Sequence, residues 1–169
     1  MWLTHPGAGS RAQAVSSGSV VRAGDTLPLG SNSQAIVSSS DGSTLRLYSR
    51  TVLVLGGTAA APSVELRAGA VDVAVHAFPG RQGTIAKSPF LQARTLGTEF
   101  RLMVNDRSAW LGVRTGAVEV VRSADGQKVV LAVGNYAAVA PDWPFMKMNA
   151  LVCPMWKSVC QQAAGSAYP

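Results

Sequence analysis

Two stretches of this chain repeat one another, and that repeat limits the architecture more than any other feature. One reads V-E-L-R-A-G-A-V-D-V-A-V, from Val64 to Val75. The other reads L-G-V-R-T-G-A-V-E-V-V-R, from Leu111 to Arg122. Arg, Gly, Ala, Val, an acid and Val align without a gap at an offset of 47 residues. In the first copy Val64 and Leu66, then Val71, Val73 and Val75, face one side, with Glu65, Arg67 and Asp72 opposite. In the second, Val113, Val118 and Val120 do the same against Arg114 and Glu119. This period of two is the mark of a half-buried strand. Gly69 and Gly116 sit between the two runs of each copy, where a Cβ would clash in a tight corner. Each unit therefore reads strand, glycine corner, strand. A weaker copy is Ser17-Gly18-Ser19-Val20-Val21.

The rest of the chain follows the same pattern. Short β-branched runs predict strands over residues 19–22, 26–29, 34–38, 44–48, 51–55, 64–67, 70–75, 83–86, 91–95, 99–104, 109–114, 117–122, 128–133 and 136–139. Asp41-Gly42 and Asp125-Gly126 are hairpin signals, because Asp-Gly accepts positive φ at little steric cost. Gly56-Gly57 and Pro79-Gly80 are further breaks. So many short strands, near ten residues apart, exclude a βαβ fold. The repeat predicts an all-β, solenoid-like stack of short strands with glycine corners, with a two-sheet sandwich as the fallback. The expected division is a flexible segment over 1–14, a β domain over 15–140 and a C-terminal tail over 141–169 that packs on it.

A chain of 169 residues is long enough to bury a core without staples. Its 47% hydrophobic content excludes intrinsic disorder. Net charge is +6, but the basic residues are scattered singly and no nucleic-acid motif accompanies them, so no nucleic-acid partner is expected. No run of 18 apolar residues predicts a membrane span. Met1–Pro6 lacks the basic and apolar regions of a signal peptide.

Candidate chemistry is sparse. The only histidines are His5 and His76, and neither pairs with a nucleophile and an acid. The acids fall in Asp-Gly turns or on outward strand positions. No metal, cofactor or catalytic residue is expected, and the chain reads as a non-enzyme. Cys153 and Cys160 are the two cysteines. If both sat on one helix, their Cα atoms would lie about 10.5 Å apart along the axis. A disulfide needs less than about 7 Å. A helix through both and a disulfide between them are thus exclusive. Trp143, Phe145, Met146 and Met148 cluster in the tail, either as a cap on the β core or as an adaptable partner surface.

The stretch from Ala86 to Ala140 carries a resemblance. Gly97-Thr98-Glu99-Phe100, then Gly116-Ala117-Val118-Glu119-Val120, then Val133-Gly134 resemble in order and spacing the marks of the FecR domain family. Upstream, Arg22-Ala23-Gly24-Asp25-Thr26-Leu27, Asp41-Gly42-Ser43-Thr44-Leu45-Arg46-Leu47 and Leu66-Arg67-Ala68-Gly69-Ala70-Val71 look like the family's earlier segments. The resemblance implies a binding and signalling module in the bacterial envelope, periplasmic or extracellular. Its partner would be another envelope protein, and its output control of a sigma factor. The oxidising envelope location that the resemblance implies favours the disulfide between Cys153 and Cys160. Read physically, Gly97 permits a tight bend, Thr98 a local hydrogen bond, Phe100 a core anchor, and Glu99 a contact with an arginine or the turn backbone. Two rival readings remain. One is a structural or assembly subunit, forming a homo-oligomer or filament through uncharged strand edges. The other is a glycan-binding β module that uses exposed Trp110 and Trp143.

Overall fold

The computed structural model describes residues 2–3, 13–14, 16–77, 79–80, 83–95 and 97–149. All of its regular structure is β. A small separate ladder pairs β1 (Trp2–Leu3) with β2 (Gln13–Ala14). The remaining strands are β3 (Thr26–Pro28), β4 (Ala35–Ser38), β5 (Thr44–Leu47), β6 (Val52–Gly57), β7 (Pro62–Ala74), β8 (Thr84–Lys87), β9 (Leu91–Thr95), β10 (Glu99–Val104), β11 (Ala109–Thr115), β12 (Ala117–Arg122), β13 (Lys128–Ala132), β14 (Asn135–Val139) and β15 (Met146–Asn149). They form one sheet with two arms. The first arm runs β3-β6-β7-β8-β9-β12-β13 and the second β4-β5-β7-β10-β11-β14-β15. Every pairing is antiparallel except β7 with β8.

The long strand β7 belongs to both arms. Its first half, through Ala68, pairs with β6, and its second half, from Gly69, pairs with β10. The β11–β12 connection makes the reverse crossing at Gly116. Gly69 has φ +90° and Gly116 has φ +75°. A Cβ on Gly69 would lie 2.6 Å from the Thr51 Cα, and one on Gly116 would lie 2.5 Å from the Thr98 Cγ2. Both corners therefore require glycine for conformation and for space.

The repeat is deeper than the two motifs that reveal it. Thr51 and Thr98, each under a corner glycine, are themselves 47 residues apart. Before them stand Arg50 (φ 56°), the one non-glycine with positive φ among the described residues, and Gly97 (φ 67°). Immediately after them, both ladders shift register at the same place, between Val52 and Leu53 and between Glu99 and Phe100. Leu53 then faces Leu66 as Phe100 faces Val113. The hairpin turns also correspond. The Ser43 N–H donates to Asp41 Oδ1 (3.0 Å), and the Phe90 N–H donates to Ser88 Oγ (3.3 Å). Each strand of one copy lies in the opposite arm from its counterpart, so the two units interlock.

This arrangement corrects the expected architecture. Solenoid coils stack their strands in parallel, whereas these neighbours are antiparallel and exchange arms. β7 carries the chain continuously from one arm to the other, so the arms join in one sheet rather than standing as two. The result is a nearly closed, barrel-like sheet. Both arms feed one core, with Leu27, Leu53, Leu66 and Leu131 from the first and Leu47, Phe100, Leu102 and Leu111 from the second. The arms begin at edge strands β3 and β4 and end at β13 and β15, and a seam lies between the last two. Lys147 Nζ spans this seam to donate to the Val130 carbonyl (3.1 Å), and Arg122 Nη1 donates to the Trp143 carbonyl (2.6 Å).

Three local expectations also change. Residues 19–22 are not a strand. The chain turns there, with the Arg22 N–H bonded to Asp25 Oδ2 (2.7 Å) and the Asp25 N–H to the Arg22 carbonyl. The runs 64–67 and 70–75 are one strand, because the glycine bends it without breaking its ladder. Met146–Asn149 forms edge strand β15, which Met and Lys at alternate positions do not announce.

Candidate functional site

The expected motif residues are distributed through the framework. Val71 and Val118 are fully buried, each two residues beyond a corner glycine. Phe100 is 1% exposed and anchors the core. Thr98 is buried and its hydroxyl bonds that of Thr95. Gly134 turns between β13 and β14 with φ +75°, and its N–H donates to the Val113 carbonyl (3.0 Å). Glu99 departs from expectation. Its side chain is exposed and forms no ion pair among the described residues, while its backbone N–H donates to Thr115 Oγ1 (3.0 Å). It stands at the bulge, where the strand turns the side chain to solvent.

Among the described residues, a dense polar cluster lies on the outward side of the second arm. Asp72, on β7, faces Arg46 of β5 on one side and Arg101 of β10 on the other. Arg101 Nε donates to Asp72 Oδ1 (2.5 Å) and Nη2 to Asp72 Oδ2 (2.8 Å). Such a two-pronged contact is the strongest form of this pair. The Tyr48 hydroxyl accepts from Arg101 Nη2 (2.7 Å) and donates to Asp72 Oδ2 (2.6 Å). The guanidinium lies 5.0 Å from the Tyr48 ring centroid, in cation–π range. Arg114 adds a longer ion pair to Asp72 (3.5 Å).

Burial pushes the Asp72 carboxyl up, but the bonds from Arg101 and Tyr48 and the charges of Arg101 and Arg114 outweigh it and hold it below the usual carboxylate value. The Tyr48 hydroxyl is pushed up by burial first, then by its bond to Asp72 and that carboxylate's charge. This cluster is a structural clamp across three strands. Sequence reading missed it because the pairing of β5, β7 and β10 is tertiary. The available signal was an outward Arg and an outward acid flanked by inward apolar residues.

The tail residues divide. Trp143 is 43% exposed beside the seam. Phe145 packs on the main core, and Met146 and Met148 pack on a second cluster of Met103, Trp110, Tyr136 and Ala138. Trp110 is 8% exposed and stacks on Tyr136 (centroids 6.4 Å apart), so it offers no sugar-stacking surface and the glycan reading loses its main residue. Exposed Val130 (57%) and Val133 (59%) lie on the β13 side of the seam. His76 is exposed at the end of β7, where its backbone N–H bonds Ser43 Oγ (3.1 Å). Among the described residues no group of three or more His, Cys, Asp or Glu could hold a metal, and no helix is long and apolar enough to cross a membrane. Cys153, Cys160 and His5 lie outside the described residues.

The fold is shared with solved structures. Two crystal structures of a candidate anti-sigma factor from Parabacteroides distasonis, at 2.50 and 1.65 Å resolution, match with TM-scores of 0.64 and 0.65 and 22% identity. Each match covers 73% of this chain but 59% of the other, so this chain spans well under two thirds of those proteins. A search of curated proteins found no match. The family model described as FecR protein matches residues 25–119. That segment begins at Asp25 and ends at Glu119, one 47-residue repeat on either side of Asp72, and so takes in both interlocked units. With more than half of its length inside that match, the chain belongs to the FecR family.

Proposed function

We propose that this chain is a non-enzymatic protein-binding module of the bacterial envelope, periplasmic or extracellular, which relays a signal toward a sigma factor. The observation that carries the reading is the FecR match across both repeat units. The titles of the similar structures, which name a candidate anti-sigma factor, support it. The chemistry agrees: the charged cluster is consumed in holding three strands together. We assign the partner surface to the seam, where Val130 and Val133 are exposed on the β13 side and Trp143 is exposed ahead of β15. Exposed apolar side chains beside an incompletely paired edge suit an extended partner segment.

The test is transcriptional. Deleting the encoding gene in the source cells is expected to change transcripts that share one class of promoter. Wild-type protein restores them, and a Val130→Lys/Val133→Lys protein with an unchanged thermal melt does not. A transcriptome indifferent to the deletion would overturn the signalling role.

The exposed edge also favours one second reading, a subunit that assembles with copies of itself. Concentration-dependent assembly that the same double substitution abolishes, with no transcriptional effect, would select it.

A further inference from the structure

The edge strands of the sheet are not equally protected. A free strand edge invites another strand, and folded proteins guard it with proline, charge, brevity or cover. β3 is three residues long and ends in Pro28. β13 carries Lys128, and Lys147 of β15 caps it at the Val130 carbonyl. β4 has none of these guards. From Gln34 to Ser40 the chain reads Q-A-I-V-S-S-S, without a charge, a proline or a glycine.

The ladder also shows which groups of β4 are left over. The Ser39 N–H donates to the Ser43 carbonyl (2.9 Å), so residues 39 and 43 form a bonded pair. Bonded and non-bonded pairs alternate along an antiparallel ladder. Val37 and Ala35 therefore bond to Leu45 and Leu47, while Ile36 and Ser38 turn their N–H and C=O away from β5. The next ladder agrees. The Tyr48 N–H donates to the Ala70 carbonyl (3.1 Å), and the same alternation turns the backbone of Arg46 to β7 and leaves Leu45 and Leu47 for β4. Gln34, Ile36 and Ser38 are exposed, Ile36 to 63%. Among the described residues β4 pairs with β5 alone.

We propose that β4 is a docking edge at which an extended acidic segment of another protein adds as one more strand. Charge selects the occupant. In the row that Ile36 begins, Arg46 comes next, then Asp72 and Arg101. Asp72 is already bonded by Arg101 and paired with Arg114, so the exposed Arg46 faces a carboxylate that is engaged elsewhere. The added strand would lie about 10 Å from β5, at about 4.8 Å per strand, a span that an arginine and a glutamate side chain cover together. On the opposite face Ala35 and Val37 are only partly buried and pack against the margin of the core. A segment with acidic residues outside and apolar residues inside, in alternation, fits both faces. β4 stands at the other end of its arm from β15, so this site is distinct from the seam and independent of the signalling role.

The test is a nuclear magnetic resonance titration of the full chain with an acetylated, amidated peptide of Glu-Val repeats. The Ile36 and Ser38 amides should shift and exchange more slowly, while Val130, Val133 and Trp143 stay unmoved. Ile36→Pro removes an outward N–H and no bond to β5, so it should keep the wild-type melt yet weaken the peptide about ten-fold. Arg46→Gln, which leaves the backbone intact, should weaken it about two- to five-fold. Val130→Lys/Val133→Lys should bind it with wild-type affinity. A Lys-Val peptide of equal length should leave the β4 amides unmoved. A titration without shifts, shifts at the seam instead of β4, equal binding of the lysine peptide, or full affinity in Arg46→Gln or folded Ile36→Pro would each overturn the proposal. Protection of the β4 amides that grows with protein concentration and no peptide would overturn it too, because a second copy would then hold the edge.

Discussion

Phe100 and Asp72 show how differently two residues can hold one strand system. Phe100 is fully inside the core, so Phe100→Ala removes transfer energy and leaves a cavity. We expect a loss of about 3–5 kcal/mol in chemical denaturation, and a loss below about 1 kcal/mol would place the ring at the surface. Asp72, with a side chain 17% exposed, pairs with Arg101, 14% exposed. Asp72→Asn leaves Arg101 largely desolvated without its counter-charge and should cost about 2 kcal/mol at neutral pH. The sign of the pH dependence follows from the lowered carboxyl pKa. The folded state binds the proton less readily than the unfolded chain. Its contribution is therefore complete above about pH 3.9 and disappears as pH falls through the lower folded value. Wild type and Asp72→Asn should thus converge in stability on acidification below about pH 4. A constant gap down to acid would show that Asp72 is protonated or unpaired in the fold.

The strand–corner–strand unit is the element on which the fold is built, and its two copies do not use identical residues. Gly116 carries the corner with no room for a Cβ, so Gly116→Val should abolish the cooperative thermal melt. A normally melting variant would undo the corner argument. Arg50 occupies the place that Gly97 fills in the other copy, at similar positive φ. A non-glycine residue there costs about 1–3 kcal/mol, offset by the roughly 0.5–1 kcal/mol of chain entropy that glycine adds to the unfolded state. Arg50→Gly is therefore expected to be neutral or to stabilise by up to about 2 kcal/mol. A clear destabilisation would mean that the Arg50 side chain does something glycine cannot.

Among the described residues the sheet keeps four edge strands, β3 and β4 at one end of each arm and β13 and β15 at the other. The β13 and β15 edges meet through side chains rather than through a backbone ladder. Arg122, held by Asp125, and Lys147 fasten the seam. The Asp125 carboxyl falls to about 2, chiefly through its bond from Arg122, so this fastening persists well into acid. Combined Arg122→Ala/Lys147→Ala should speed hydrogen exchange in β13 while leaving β7 and β10 protected. Uniform acceleration through all strands would instead make the seam part of global stability.

Much of this was legible before any coordinates. The all-β class, the 47-residue repeat and its corner glycines follow from local rules, because alternation and positive φ are properties of neighbouring residues. The bounds of β9, β10 and β12 agree with the sequence reading for the same reason. What the tertiary structure alone decided is pairing. Which arm each half of β7 joins, the clamp of Asp72 by Arg101 and Tyr48, the burial of Trp110 and the addition of β15 all depend on residues brought together from distant parts of the chain. A strand's own sequence states which of its faces is apolar. It does not state which strand lies beside it, since ladder bonds use the backbone that every residue shares.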